Sequence, residues 1–376
     1  MIGWLIEIRG NAAGSARVPR SRLGWAGLML FSLAALSAAV GDAALVFNFT
    51  AVNTLAGLQS SNPGQYTSVI NGFAAAGNYW ASQFNDDVTV NIDIDYPALS
   101  AGTLGQAGSD SIASSYSQVR TALTNDRKSA ADATAVANLP AGSGLSFLTN
   151  NAATGNLVID NNGSANNTTL DVNRANAKAL GLLAGAAAGR DAAISFSSNY
   201  SWDFDRSNGI TPGTYDFVGV AMHEIGHALG FVSGVDTVDY FSRPNGPEAP
   251  LALDGYRVFS VLDLYRRGSR NGGGLDFAVG GSGTSTPYFS IDGGTTALGQ
   301  FSTGAFSGDG RQASHWKDNA GLGLLDPTLA SGELAAVTPL DLLAMDVIGW
   351  NAVPEPSAVA LAVAGLTMAV ILRRRA

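Results

Sequence analysis

His223-Glu224-Ile225-Gly226-His227 constrains this chain more than any other stretch. Two imidazoles four residues apart share a face only in a helix, where one lies a turn above the other. The neighbours agree: Val218, Met222, Ile225, Leu229 and Val232 recur at the spacing of a buried helical face. Thr211-Pro212 or Thr214 is placed to start the helix, and Gly230 to end it in a left-handed turn. On such a helix both nitrogens can reach one zinc ion at about 2.0–2.1 Å. Glu224, next to the first imidazole, can reach a water on that ion without being a ligand. It has the chemistry of a general base that takes the water's proton and later passes it to a leaving amine.

A third ligand has to come from elsewhere. The chain has no cysteine, which excludes thiolate sites and disulfides and leaves His and carboxylates. His315 is the only other histidine. Asp236, Asp239 and Glu248 follow close behind His227 and are carboxylate alternatives.

Composition narrows the setting. The 376 residues, 46% of them hydrophobic, are ample for one large core or two lobes around a cleft. Only 14% are charged while 46 are Gly, a balance that suits a loop-rich extracellular protein. Residues 1–44 carry four Arg against Glu7 and Asp42, and residues 353–376 three Arg against Glu355. Each end is thus +2, which leaves -13 for the body of a chain whose formal charge is -9. A body this acidic argues against nucleic acid or an anionic membrane surface as a partner. It is compatible with Ca2+. Asp203, Asp205, Ser207 and Asn208 resemble a calcium loop only loosely, since Gly209 comes one place late and no twelfth-position Glu follows, so a polar turn is preferred.

Both ends read as export signals. Arg17, Arg20 and Arg22 precede an apolar run, Leu23 to Val40, and small residues through Ala44, so 1–44 is expected to be a signal peptide. At the other end, Val353-Pro354-Glu355-Pro356-Ser357 leads into a short apolar run, Ala358 to Leu372, and then Arg373, Arg374 and Arg375. Residues 353–376 resemble the PEP-CTERM sorting signal of Gram-negative bacteria. That resemblance implies processing by an exosortase and work at the cell surface or outside it, with the inner membrane touched only through the sorting signal.

Within the body, 66–84 reads as an amphipathic helix and Val88 to Ile94 as a half-buried strand. Residues 98–115, rich in Gly and Ser, read as a surface loop, and Tyr116 to Asn125 as a helix. Residues 149–168 read as a loop or hairpin with Asn161-Asn162-Gly163 as its turn. Asp171 to Leu183 reads as helix, Ala192 to Ser198 as a strand at the edge of the sheet or inside it, and 271–299 as Gly-rich loop. The body ends in a helix started by Thr338-Pro339 and stopped by Gly349.

HEIGHALGF, a long insertion, His315-Trp316, a Leu-x-x-Pro turn and a closing helix ending in Gly349-Trp350 are similar to the leishmanolysin-like branch of the metzincins. The similarity spans roughly Tyr215 to Trp350. It implies His223, His227 and His315 as ligands of one catalytic Zn2+, Glu224 as general base and a peptide or protein substrate. It also implies an α+β, two-lobed zincin fold with a small twisted mixed sheet and a zinc-binding active-site helix. The domain would span 45–352, with an N-terminal lobe to about 232 and a C-terminal lobe over 233–352. Two positions depart from the pattern. Ser233 stands where the compact metzincin motif has its third His. Leu325 stands where a methionine turn is expected, keeping an apolar floor without the thioether, while Met345 reads as core. Tyr256, Tyr265 and Tyr288 are candidates to stabilise an oxyanion. The expected activity is therefore an exported zinc endopeptidase. The alternatives are a surface or matrix protein with a structural or vestigial zinc site, and a zinc hydrolase of a non-protein amide such as a cell-wall linkage.

Overall fold

The computed structural model describes residues 4–8, 44–151, 154–242, 253–281 and 286–353. Along the chain run β1 (Trp4–Ile8), β2 (Val46–Ala51), α1 (Asn53–Ser61), α2 (Pro63–Gln83), β3 (Thr89–Asp95), β4 (Thr103–Ser109), β5 (Ser111–Ser115), α3 (Tyr116–Asp126) and α4 (Ala130–Ala137). Then come β6 (Phe147–Asn150), β7 (Leu157–Asp160), α5 (Ala165–Thr168), β8 (Thr169–Asn173), α6 (Arg174–Ala179), β9 (Ala192–Phe196), β10 (Trp202–Asp203), β11 (Tyr215–Asp216), α7 (Phe217–Leu229) and α8 (Val235–Ser242). The last are β12 (Arg266–Arg267), β13 (Leu275–Asp276), β14 (Tyr288–Phe289), β15 (Gly299–Gln300), β16 (Thr328–Leu329) and α9 (Pro339–Val347).

The architecture is mixed α+β. One six-stranded mixed sheet has the order β16-β1-β4-β9-β3-β2. Strands β2, β3 and β9 are parallel, β4 is antiparallel to β9, and β1 is antiparallel to β4 and parallel to β16. Val90, Ile92 and Ile94 alternate inward from β3, as their period-two pattern predicts. Helices α2 and α7 pack on this sheet. Their crossing is close because Gly72 leaves no Cβ, which would otherwise lie 2.3 Å from the Phe217 ring. Phe73, Phe196 and Phe217 fill the space between helices and sheet, with ring centroids 4.6–5.5 Å apart. Trp80 of α2 donates its Nε1 proton to the Met222 carbonyl of α7 at 2.9 Å, which locks the two helices in register.

A second six-stranded sheet, β15-β14-β12-β13-β6-β7, joins strands from before and after α7. Likewise β16 comes from the C-terminal part but sits in the first sheet. The two sheets therefore do not divide the chain at residue 232.

Several elements differ from expectation. Residues 103–109 and 111–115 are strands, not surface loop. Their small residues reflect crowding: a Cβ on Gly105 would lie 3.0 Å from Glu224 Oε1 and 3.1 Å from Val220 Cγ1 of α7. Asp171 to Leu183 is only partly helical. Leu170 and Val172 alternate inward from β8, which pairs with β5, and the helix is confined to α6. The hairpin in 149–168 is β6–β7, and Asn161-Asn162-Gly163 follows it rather than forming its turn. Strand β9 lies inside the sheet, between β4 and β3. Residues 66–84, 88–94 and 116–125 and the closing helix match α2, β3, α3 and α9 closely.

Trp4–Ile8, within the stretch expected to be an export signal, form β1. The arginines and apolar run that follow lie outside the described residues, as do Pro354-Glu355-Pro356 and the C-terminal apolar run. Among the described residues no helix is long and apolar enough to cross a membrane.

Candidate metal centre

Helix α7 is buried along its whole length, and its start is set by Asp216 rather than by Thr211 or Thr214. The Asp216 carboxylate accepts from the Gly219 amide at 2.9 Å, the N-cap bond that satisfies a free helical donor. The carboxylate is also paired with Arg206 at 3.0 Å. Gly230, at φ 120, ends the helix as expected.

The helix and the loop before β16 bring the three histidines together. His223, His227 and His315 are fully buried, and their Nε2 atoms lie 3.1 to 3.2 Å from one another. Each Nδ1 faces a backbone carbonyl: Leu324 at 2.8 Å, Phe231 at 2.7 Å and Gln312 at 3.2 Å respectively. A carbonyl accepts and does not donate, so the ring protons sit on Nδ1 and the three Nε2 lone pairs converge. Burial pushes all three imidazoles down, His223 to about 4, and the neighbouring rings add to the effect at His227 and His315. They are therefore neutral, the form that binds a metal. Three lone pairs this close repel unless a cation sits among them. A tetrahedral ion with metal–nitrogen bonds of about 2.0–2.1 Å sets its nitrogens about 3.3 Å apart, close to what is observed. The buried trio can hold a metal ion.

Glu224, also fully buried, belongs to the same site. Burial pushes its carboxyl well above the usual range, and the Ile6 amide pulls in the other direction. Among the described residues the Ile6 amide is directed at this carboxylate, and neither oxygen has a side-chain hydrogen-bond partner. A buried carboxylate left this way is costly, and a cation at the adjacent nitrogens is the natural compensation.

The carboxylate alternatives are occupied with other work. Asp236 accepts from the Ala313 and Ser314 amides and from the Ser314 hydroxyl, so it holds the loop that carries His315. Asp239 accepts from the Phe306 and Ser307 amides at 2.8 and 2.9 Å. Glu248 lies outside the described residues. Ser233 has a positioning role: its amide donates to Ser314 Oγ at 2.7 Å and its hydroxyl to Asp263 at 2.6 Å.

Two buried aspartates that sequence reasoning missed organise the rest. Asp263 gathers Ser233, the Gly234 amide and Ser260. Asp341 accepts from Trp316 Nε1 at 2.8 Å, from the Leu324 amide at 2.8 Å and from the Thr338 amide at 2.7 Å. It thereby ties together the His-Trp pair, the turn at Leu325 and the closing helix. Its signal was present in Thr338-x-x-Asp341, a capping box.

Leu325 does form an apolar floor. Its Cδ1 lies 3.2 Å from where a Gly226 Cβ would sit, with the Met345 methyl at 3.5 Å from the same point. Met345 thus reaches the underside of α7 while remaining core. Of the tyrosines, Tyr265 donates to the Val347 carbonyl and Tyr288 to the Gly294 carbonyl, both at 2.8 Å, and Tyr256 is exposed. None is assigned to an oxyanion. Asp203 and Asp205 accept from Thr211 and Ser207 in a self-contained polar turn.

No family model, curated protein or solved structure matches this chain.

Proposed function

We propose that the chain is a zinc-dependent endopeptidase of two-lobed, zincin-like build. The observation that carries this reading is the convergence of three neutral imidazoles beside a buried carboxylate on the same helix. His223, His227 and His315 would hold the ion, and a zinc ion so held supplies Lewis-acid polarisation of a water or a carbonyl. The carbonyl partners of the Nδ1 protons keep the rings aimed and raise their basicity. Glu224 takes a proton from the attacking water on a carboxylate oxygen and gives it to the nitrogen of the departing amine. Among the described residues no other side chain engages its oxygens, which leaves them for that transfer. Export, exosortase processing and a surface or extracellular substrate belong to the same proposal.

A purely structural ion would have no use for Glu224. The test is hydrolysis of casein by the purified chain, with and without a chelator, beside Glu224→Ala. Activity lost with the chelator, restored by Zn2+ and absent in the variant is expected. Activity indifferent to both would overturn the reading. Cell-wall amides assayed in parallel separate a peptidase from a hydrolase of another amide.

A further inference from the structure

Strand β1 lies where it covers Glu224. Ile6 pairs directly with Gly105, and the point where a Gly105 Cβ would sit is 3.0 Å from Glu224 Oε1. Residues opposite each other on antiparallel strands present their side chains to the same face. Ile6 therefore faces α7, is 2% exposed, and borders a cavity of about 230 Å³ lined by Leu324 and Leu329 together with Asp326, Thr328 and Glu333. The register then shifts, with Leu104 of β4 as the extra residue, so that Glu7 faces Thr103. Glu7 then donates its amide to the Pro327 carbonyl at 2.8 Å, pairs with Thr328 of β16, and reaches Arg311 with its carboxylate. Ile8 donates its amide to the Gly102 carbonyl at 3.0 Å. Trp4 to Glu7 are thus paired with β4, and Glu7 and Ile8 with β16, a backbone pairing like that of strand addition. From Ile8 the next described residue is Ala44.

We propose that the slot between β4 and β16 is a peptide-binding slot. Trp4–Ile8 is its tethered occupant for as long as residues 1–44 remain attached and until then excludes other peptides, and the slot selects an aliphatic residue beside Glu224 followed by an acidic residue at Arg311. The claim that such peptides are substrates rests on the peptidase reading; the claim that they bind does not. Arg311 is the selector for the acid: it is held by Asp318 at 3.1 Å, so its guanidinium is presented in a fixed position. The aliphatic residue is selected by burial: Ile6, opposite Gly105, is 2% exposed and lies beside Leu324 and Leu329.

The test uses the full chain and a fluorescent peptide carrying the sequence Trp-Leu-Ile-Glu-Ile, read by anisotropy. Glu7→Lys breaks the tethered strand's contact with Arg311 at a half-exposed position, and Ile6→Asp is a second variant that ejects the strand by placing a charge at a buried position. A competing tethered strand lowers the apparent affinity by the fraction of time the slot is open. The labelled peptide is expected to bind Glu7→Lys and Ile6→Asp at least about tenfold tighter than wild type. The same peptide with Lys for Glu is expected to lose that gain. Equal binding to wild type and both variants, or no binding to any of them, would overturn the proposal. Peptide binding without hydrolysis of any substrate by the Zn2+-loaded variants keeps the slot and removes the peptidase. Casein hydrolysis that is the same in wild type and variants, with no peptide binding, does the reverse.

Discussion

Glu224 and the residue that makes room for it, Gly105, set the finest scale. The backbone of β4 can approach α7 only because position 105 has no side chain. Gly105→Ala is expected to cost about 1–3 kcal/mol by overpacking and to displace the Glu224 carboxylate. Urea denaturation and casein hydrolysis measured together check this, and both should fall. Asp341→Ala is expected to leave the Trp316 indole, the Leu324 amide and the Thr338 amide without their acceptor, at about 1–3 kcal/mol for each donor not rescued by water. An Asp341→Ala chain as stable as wild type would show that these bonds do not position the turn. At this scale the sequence was most legible for residues whose chemistry is local. His223, Glu224 and His227 are readable because five consecutive residues contain the whole pattern. His315 followed from the lack of other histidines and from the His-Trp resemblance. Asp236 stood as an alternative ligand in the sequence, because a buried carboxylate near a metal motif and a buried carboxylate that holds a loop look the same in one dimension.

At the scale of elements, α7 depends on its first turn. Asp216 caps Gly219, pairs with Arg206 and accepts from the Ala335 amide at 3.2 Å. Asp216→Ala is expected to destabilise the chain by at least about 1–2 kcal/mol, with Asp216→Asn much milder, in thermal or urea unfolding. Thr211 and Thr214 attracted the expectation because a Thr before an apolar run is a common start. The actual cap was hidden by β11, which delivers Asp216 straight into the helix. Strands β4 and β5 were illegible for a related reason. Strand propensity rewards bulky β-branched residues, whereas a strand under a closely packed helix needs small ones. Periodicity worked where an element has one buried face, as in α2, β3 and α9, and failed where burial on both sides or crowding dictated composition.

For the whole molecule, the carboxylates where α9 meets α4 and residues 351–352 make stability depend on pH. Asp346 is pushed up to about 6 by burial, partly offset by the Ser129 hydroxyl that donates to it at 2.6 Å, with Asp132 and Asp86 adding repulsion. Its folded value lies above its unfolded one, so the proton is held more tightly in the folded state. The stabilisation from that proton is full below about pH 4 and is lost as pH rises through about 6. The urea midpoint of wild type is expected to fall between pH 5 and 7.5, and that of Asp346→Asn to fall less. Equal slopes would place the ionisation elsewhere. The overall fold was legible as α+β from alternating and helical patterns. The exchange of strands between the two sheets was not, because pairings between β6 and β13, or β1 and β16, leave no local trace. The proposed chemistry depends on the metal centre, and elemental analysis of the purified chain tests that centre most directly. About one zinc ion per chain is predicted for wild type, and almost none for His315→Ala or His223→Ala in a chain that still folds. Full zinc occupancy in a folded His315→Ala would contradict the three-histidine site.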